Sequence, residues 1–173
     1  MLPSDHFVRM YNELFKMLEE KGHGCLQRYW MEISTLQESI IKPYLEHDAL
    51  QGLYDYFEKI RVEENCDAVM TLTNDYFEFN MRKCPSLTKV TDNDAGAFEL
   101  YCDHCAGWLE PLMRKNGLYY VADMISRTEP RCHSRIYTDE RKAEEFRRQV
   151  KLLAEPYGKQ GGACPQQNRE AVP

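Results

Sequence analysis

The hydrophobic pattern of this chain changes its period after the first third, and this change restricts the fold more than any other feature. Apolar residues first recur every three or four positions, in segments 4–21, 26–46 and 49–62. Segments 68–73 and 76–83 are then rich in β-forming residues, and the second of them alternates apolar and polar side chains. The first spacing is typical of amphipathic helices and the alternation of half-buried strands. We therefore predict three N-terminal helices followed by a sheet.

The apolar stripes of these helices are predicted to form the core, because one apolar face of a helix in a globular protein normally packs inward. In the first helix the stripe consists of Phe7, Met10, Tyr11, Leu14, Phe15 and Leu18. In the second it consists of Tyr29, Ile33, Leu36, Ile40 and Ile41. Pro43 is predicted to bend the second helix or end it early, because proline cannot donate the helical hydrogen bond.

The second half of the chain adds two further extended segments, at residues 118–127 and 132–137. A fourth helix is predicted at residues 97–115 and a last helix at 139–154. The predicted fold class is therefore α+β, with N-terminal helices packed on a four-stranded antiparallel sheet and with two further helices. We predict a single domain over residues 1–155 and a flexible C-terminal tail over 156–173, since the tail is rich in Gly, Gln and Pro.

The charge of the chain restricts its partners. Its 173 residues carry a net charge of -6, which disfavours nucleic acid, because phosphate binding needs clustered Lys and Arg. No apolar run approaches the roughly 20 residues that span a bilayer, and no secretory signal precedes the first helix. The expected partner is a small-molecule substrate rather than nucleic acid or a membrane, and the expected location is cytoplasmic.

The seven cysteines are the residues that most restrict function. Their number is odd and their spacing is not typical of a disulfide framework, so we expect thiols, metal ligands or redox groups. Cys25 and Cys66 are expected to serve packing, and Cys164 to lie in the tail. Four others, Cys84, Cys102, Cys105 and Cys132, lie on separate predicted elements and could meet in one pocket, where a thiolate is both a nucleophile and a metal ligand. The alternative is that each simply fills the core.

The strand that ends at Cys84 offers polar groups for a substrate. Because side chains alternate across a strand, Asn80, Arg82 and Cys84 are predicted to share one face. Arg82 could bind a substrate carboxylate through two hydrogen bonds, and Asn80 could add another. The alternative is an ordinary solvent-facing surface of an antiparallel sheet.

The pair Cys102 and Cys105 is predicted to lie on one side of the fourth helix, because residues three apart are helical neighbours. With Cys84 and Cys132 it could hold zinc or an iron–sulfur cluster, although a structural zinc site usually has a second close-spaced pair. A thioredoxin-like role is disfavoured, because the pair is predicted to lie in mid-helix, away from the N-terminus that would lower a thiol pKa.

Two residues of the last two strands complete a set typical of cysteine hydrolases. His133, beside Cys132, could act as the general base for Cys84, and Asp123 could orient such a histidine or activate water. The alternative is that His133 is a surface residue of its strand. The mutual geometry of these residues cannot be read from the sequence.

Three segments of the second half resemble a known family. They are residues 79–85 (FNMRKCP), 99–105 (ELYCDHC) and 122–133 (ADMISRTEPRCH). Their order resembles the L-2-amino-thiazoline-4-carboxylate hydrolase family, whose members tend to place a Cys-Pro after a strand, a cysteine near a helical acidic residue and a late cysteine in the final strand. The resemblance covers about residues 66–138.

The resemblance implies an α+β, cysteine-dependent hydrolase that opens a small cyclic amidine-like thiazoline carboxylate without a cofactor. It implies that Cys84 is the nucleophile and that Cys102, Asp103 and Cys132 surround the pocket. His104 and Cys105 match no feature of the family and leave open a metal-binding relative without hydrolase activity.

Three hypotheses follow. In the first, an enzyme uses Cys84, and Asp103 or His133 moves the proton. In the second, a non-catalytic module binds a metal or a small molecule. In the third, the cysteines fill the core and the helices form the surface of a homo-oligomer.

Overall fold

The structure is a computed structural model that describes residues 3–92, 96–123, 125–150 and 164. The helices of these residues are α1 (Pro3–Glu20), α2 (His23–Leu45), α3 (Ala49–Glu63), α4 (Pro85–Thr91), α5 (Asp103–Lys115) and α6 (Glu140–Gln149). The strands are β1 (Asp67–Leu72), β2 (Tyr76–Lys83), β3 (Tyr119–Asp123) and β4 (Cys132–Tyr137). The predicted α+β class is confirmed, with the N-terminal helices preceding the sheet.

The four strands form one antiparallel sheet in the order β1-β2-β4-β3. Phe77 and Phe79 of β2 pair with Ile136 and Ser134 of β4, so these side chains lie on the same face. That face carries the main core, where Phe77, Phe79 and Ile136 pack with residues of α2, α3 and α5. The predicted four-stranded antiparallel sheet is therefore confirmed.

The other face of the sheet is covered in part by α6. Val121 and Tyr137 of the sheet form a small core cluster with Ala143 of α6, and Phe146 packs against it. Arg135 of β4 lies between two aromatic rings there, with its guanidinium carbon 4.6 Å from the ring centre of Tyr76 and 4.2 Å from that of Phe146. The sheet thus has one face that is largely apolar and one that mixes apolar and charged side chains.

The corner between α2 and α3 is tight. The Asp48 carboxylate caps α3 by accepting hydrogen bonds from the backbone N–H groups of Leu50 and Gln51, each at 3.1 Å. α2 continues past Pro43 to Leu45, so the prediction that this proline ends the helix early is wrong.

The stripes predicted for the first two helices are wrong in part. Leu36 and Ile40 of α2 are 68% and 60% exposed, and Phe7 and Met10 of α1 are 58% and 64% exposed. The buried residues of α2 are instead Cys25, Leu26, Trp30, Ser34 and Ile41. The inward face of α2 is thus set largely by Trp30, which packs edge-on against Phe15 of α1.

In the part of the chain that the structure describes, three helices follow the first strand, whereas two were predicted. The missed helix is α4, where Pro85 occupies the first turn and Leu87 and Val90 are buried. Proline at this position is favourable, because its missing N–H would have no partner in the first turn of a helix. The seven-residue helix is too short to give a periodic signal.

The fourth predicted helix begins later than expected, at Asp103 rather than at residue 97. The cause is the fully buried Asn12 of α1. Its side chain accepts a hydrogen bond from the N–H of Phe98 at 2.8 Å and donates one to the carbonyl of Gly96 at 2.9 Å. These two hydrogen bonds hold residues 96–98 against α1 in a non-helical conformation, and α5 begins after them.

A disulfide joins Cys25, in the first turn of α2, to Cys164, 139 residues later. Cys25 is buried, as expected for a packing residue, but the expectation of thiols, metal ligands or redox groups did not include its disulfide with Cys164. Nothing in the residue spacing of this pair distinguishes it from the other cysteines, because only the fold brings its two members together. The five remaining cysteines are free.

Two further predictions meet the structure only in part. No helix in the described portion of the chain is both long and apolar enough to cross a membrane. The predicted domain boundary at residue 155 and the predicted tail of residues 156–173 lie outside the described residues, apart from Cys164.

Candidate functional site

One small cavity is lined by all four cysteines that the sequence singles out, Cys84, Cys102, Cys105 and Cys132. The cavity has a volume of about 50 Å³, which exceeds the roughly 10–15 Å³ that one water molecule needs. It lies between the N-terminal ends of α4 and α5 and the adjoining strands β3 and β4. The remaining lining residues are Leu87, Tyr101, His104, Ala106, Tyr120, Ala122, Arg131 and His133.

Cys84 reaches the cavity because β2 ends one residue earlier, at Lys83. Its backbone N–H donates to the carbonyl of Pro130, and its sulfur accepts a hydrogen bond from the N–H of Leu87 at 3.4 Å. Burial raises the pKa of the Cys84 thiol, and the N–H groups of Leu87 and Ser86 oppose this effect only in part. Cys84 is therefore a protonated thiol at neutral pH.

The prediction that Asn80 and Arg82 share a pocket with Cys84 is wrong. Both side chains are exposed, and neither lines the cavity. Asn80 pairs with His133, on the face opposite to Phe79 and the main core. The alternation of β2 stops at Lys83, where the chain turns into α4, so Cys84 does not continue the face of Asn80 and Arg82.

The Cys102–Cys105 pair lies at the start of α5 rather than in mid-helix. Cys102 is the N-cap residue and Cys105 belongs to the first turn. The predicted mid-helix position of the pair, which disfavoured a thioredoxin-like role, is therefore wrong. Burial nevertheless dominates the chemistry of this pair, since it raises the pKa of Cys102 to about 11 and that of Cys105 well above its ordinary value.

His104, which lies between these cysteines in the chain, holds the thiol of Cys105. Its Nδ1 is hydrogen-bonded to the carbonyl oxygen of Tyr101, and a carbonyl can only accept, so Nδ1 carries the proton. Nε2 is then an acceptor, and the Cys105 S–H donates to it across 3.3 Å. Burial lowers the pKa of His104 to about 4, although the Tyr101 carbonyl opposes this, so the ring is neutral at pH 7.

Cys105 and His104 thus form a thiol–imidazole pair whose base is oriented by a third group, the arrangement that activates a nucleophile. The sequence reasoning did not select either as catalytic. Their adjacency in the chain is not a signal, because consecutive residues of a helix point in different directions, and the contact is visible only in the structure.

Asp103, a predicted catalytic residue, does not line the cavity. Its side chain is 6% exposed and forms an ion pair with Arg127, in the segment that joins β3 to β4. Burial raises the pKa of the Asp103 carboxyl, and the guanidinium of Arg127 opposes this effect. The ion pair connects the segment between β3 and β4 to the N-terminal end of α5. The role that the structure shows for Asp103 is therefore structural.

His133 lines the cavity, but its hydrogen-bond partner is Glu78, on the neighbouring strand β2. Its Nε2 is 2.8 Å from a carboxylate oxygen of Glu78, and its Nδ1 is 3.9 Å from one of Asp123. Asp123 itself does not line the cavity. The structure therefore places His133 beside Asp123, as the sequence reasoning suggested, but gives it no hydrogen bond to Cys84.

The carboxyl group of Glu78, which contacts His133 and Arg135, is ionised. Burial raises its pKa, yet hydrogen bonds from His133 and Arg135 outweigh burial and leave the pKa below its ordinary value. Arg135 donates to the same carboxylate oxygen at 2.7 Å. His133 is thus held by a carboxylate that stays ionised, which favours a structural role for the imidazole on this face.

The donor geometry does not favour the metal alternative. Burial raises the pKa of Cys132 to about 12, and the other three cavity thiols are shifted in the same direction. These shifts describe the four thiols when nothing is bound to them, and a metal would itself remove their protons. Among residues 3–92, 96–123, 125–150 and 164, no group of three or more Cys, His, Asp or Glu side chains is arranged to hold a metal ion.

Comparisons of the chain with protein-family models, with curated proteins and with solved structures found no match. The fold and the cavity therefore define its class: an α+β protein with a small, thiol-lined cavity between the ends of two helices and a four-stranded antiparallel sheet.

Proposed function

We propose that this protein is a cysteine-dependent hydrolase that opens a small cyclic amidine-like substrate. The proposed substrate is a thiazoline carboxylate, as in the hydrolase family that the sequence resembles. The observation that carries the proposal is the hydrogen bond from the Cys105 thiol to Nε2 of His104 inside the cavity. The sequence reasoning favoured Cys84 as the nucleophile. We assign that role to Cys105 because it is the cavity thiol that contacts a neutral imidazole.

In the proposed reaction the Cys105 sulfur attacks the amidine carbon while His104 takes the thiol proton. The ring carbon–nitrogen bond then breaks, and the leaving nitrogen receives that proton from His104. A water molecule then adds to the same carbon and gives one proton to the remaining imine nitrogen. The Cys105 sulfur leaves with the second water proton, and the water oxygen becomes the carbonyl oxygen of the product. The net reaction adds one water across the carbon–nitrogen bond.

The pKa of His104 suits proton donation to the leaving nitrogen better than proton removal from the Cys105 thiol. With a pKa of about 4 the protonated ring is a strong acid, which helps a poor amine leaving group to depart. It is a weak base for a buried thiol, so proton transfer must accompany sulfur attack rather than precede it. We therefore expect modest turnover, with an optimum above pH 7.

Arg131 is the residue proposed to bind the substrate carboxylate, in place of Arg82. It is the one Arg or Lys among the described residues that line the cavity, and no Asp or Glu is among them. Its guanidinium forms an exposed ion pair with Glu129 at 2.9 Å. Exposed ion pairs contribute little stability, so a substrate carboxylate can replace Glu129 at small cost.

The decisive experiment measures hydrolysis of 2-amino-thiazoline-4-carboxylate by the full chain and by single Cys→Ser variants. Cys105→Ser should abolish turnover, and Arg131→Gln should mainly raise KM. Cys66→Ser is the matched control, since Cys66 is a free, buried thiol that does not line the cavity. Full activity in Cys105→Ser would remove the proposed nucleophile, and loss in Cys84→Ser alone would return the role to Cys84.

A second candidate is a non-catalytic small-molecule-binding module. The observation that favours it is the burial of all four cavity thiols, which raises the pKa of each and keeps them as thiols rather than reactive thiolates at pH 7. Saturable binding of the thiazoline carboxylate without product formation would support it. Stoichiometric metal in anaerobically purified protein, lost in Cys→Ser variants, would revive the zinc or iron–sulfur alternative. A cytoplasmic location stays a prediction.

A further inference from the structure

We propose that Cys102 and Cys105 form a redox-active dithiol that closes to a disulfide when hydrogen peroxide enters the cavity. This proposal concerns oxidation of the protein itself and does not depend on the hydrolase activity. It rests on the backbone of the pair, on the contact between Cys105 and His104, and on the size of the cavity.

The backbone already places the two cysteines at a separation that a disulfide can bridge. Cys102 has helical dihedrals, with φ of -66° and ψ of -18°, and α5 begins at the next residue. Helix geometry puts Cα atoms three residues apart at a distance of about 5 Å, inside the range of roughly 4.4–6.8 Å found in disulfides. Closure therefore needs side-chain rotation rather than movement of an element.

Neither Cys84 nor Cys132 lies within one helical turn of another cavity cysteine along the chain. Cys84 follows β2, and Cys132 begins β4. Their positions relative to the other cavity thiols depend on tertiary packing, not on the local backbone. The pair at the start of α5 is thus the one whose closure the local backbone favours.

The cavity selects a small oxidant. A volume of about 50 Å³ admits a molecule the size of hydrogen peroxide but not a bulky peptide disulfide. The Cys105 sulfur attacks one peroxide oxygen and the oxygen–oxygen bond breaks, which leaves a sulfenic acid on Cys105. The departing hydroxide takes the Cys105 proton held by His104 and becomes water.

The Cys102 sulfur then attacks the Cys105 sulfur and displaces hydroxide, which takes the Cys102 proton and becomes a second water. Two thiols lose two electrons and two protons, and peroxide becomes two waters. The product has no S–H group for Nε2 of His104, so the contact at 3.3 Å is lost on oxidation. A thiol reductant restores it.

Burial raises the pKa of both thiols, so oxidation should be slow at neutral pH and faster in alkaline buffer. His104 should partly offset this by accepting the proton of Cys105. Replacing it by Gln, which keeps an amide near the same position but is not a base, should slow closure without preventing it.

Mass spectrometry of the tryptic digest tests the proposal directly. Trypsin cuts after Lys89 and Arg114, and the peptide of residues 90–114 contains Cys102, Cys105 and no other cysteine. After peroxide treatment and alkylation, this peptide should be unalkylated and two hydrogen atoms lighter. Cys66→Ser should give the same result as the unmodified chain.

A second variant keeps the test informative if closure is slow. In Cys102→Ser the sulfenic acid on Cys105 has no resolving thiol in its own helix turn, so dimedone added together with denaturant, which opens the cavity, should label Cys105. The proposal is overturned if peroxide joins the peptide of residues 84–89 to that of 132–135. It is also overturned if Cys102 and Cys105 both remain alkylated at a dose that oxidises other cavity thiols.

Discussion

Gly107 of α5 lies directly against the indole ring of Trp30 in α2, so closely that a Cβ atom at position 107 would stand 2.7 Å from Cε3 of the ring. Trp30 is fully buried, so its ring cannot move aside. Gly107→Ala should therefore lower the free energy of unfolding by about 1–3 kcal/mol, the usual cost of overpacking. Urea unfolding followed by tryptophan fluorescence measures it.

The control for this prediction is Lys59→Ala, on the exposed surface of α3, which should change stability by less than about 0.5 kcal/mol. Since alanine favours helix over glycine, an unchanged or raised midpoint in Gly107→Ala would show that α2 and α5 can separate without cost. The close packing of these helices would then not hold the N-terminal end of α5, and its cysteines, in place.

Gly52 of α3 should be even less tolerant. A Cβ atom there would lie 1.7 Å from the carbonyl oxygen of Tyr44, which is backbone and cannot rotate away. Gly52→Ala should therefore cost more than Gly107→Ala, about 4 kcal/mol or more, or prevent folding. Expression and unfolding of the two variants in parallel give the order. A milder effect in Gly52→Ala would contradict the close crossing of α2 and α3.

The order of elements could be predicted because it rests on local patterns. The alternation over β2 and the spacing over α3 follow from side chains that face a core, and both segments lie within a residue of their predicted limits. The start of α5 could not be predicted, because it depends on hydrogen bonds from Asn12, more than 80 residues away. A distant side chain that binds backbone groups leaves no periodic signal near its target.

The candidate site, like the fold, could be predicted from the sequence only in part. Four cysteines were expected to meet, and they line one cavity. The polar partners assigned to them, Asn80 and Arg82, lie elsewhere because a strand was extended one residue too far. The face predicted for Asn80 and Arg82 is the one observed, but the chain turns into α4 after Lys83, so Cys84 leaves that face and lines the cavity.

The ion pair of Asp103 with Arg127 should stabilise the fold chiefly because the guanidinium compensates the charge of a buried carboxylate. Arg127→Gln should lower the free energy of unfolding at pH 7 by about 3 kcal/mol, the cost of an uncompensated buried charge. Without the guanidinium the folded pKa of Asp103 rises further above its unfolded value, because burial then acts against the charge of His23 alone. The defect should therefore shrink as the pH falls toward 4, where the folded carboxyl is protonated.

The double variant Asp103→Asn with Arg127→Gln tests this reason, because it has no charge left to bury. It should be more stable at pH 7 than Arg127→Gln alone, and its stability should depend less on pH. If the double variant is less stable at pH 7, the guanidinium contributes through packing rather than through charge.

The disulfide between Cys25 and Cys164 should stabilise the folded chain by restricting the unfolded one. Its members are 139 residues apart, and a loop of that length predicts a loss of about 2–5 kcal/mol when the bridge is removed. Non-reducing denaturation of Cys25→Ser with Cys164→Ser should show this loss. Adding a reductant should make the unmodified chain resemble the variant, whereas equal midpoints without reductant would exclude a stabilising bridge.

The buried imidazole of His104 should make stability fall in mildly acidic buffer. Its pKa in the folded protein is about 4, against an ordinary value of 6.5, so the unfolded chain binds the extra proton between these limits. Stability is then fully present above pH 6.5 and is lost as the pH falls toward 4, by at most about 3 kcal/mol from this group.

Denaturation of the unmodified chain and of His104→Gln at several pH values between 4 and 7 isolates this contribution. The difference in stability between the two should shrink as the pH falls, because glutamine does not titrate. His47→Gln, at an exposed position, should run parallel to the unmodified chain throughout. A constant difference between the unmodified chain and His104→Gln would mean that His104 is not held neutral in the fold, and that its Nε2 is not the acceptor for the Cys105 thiol.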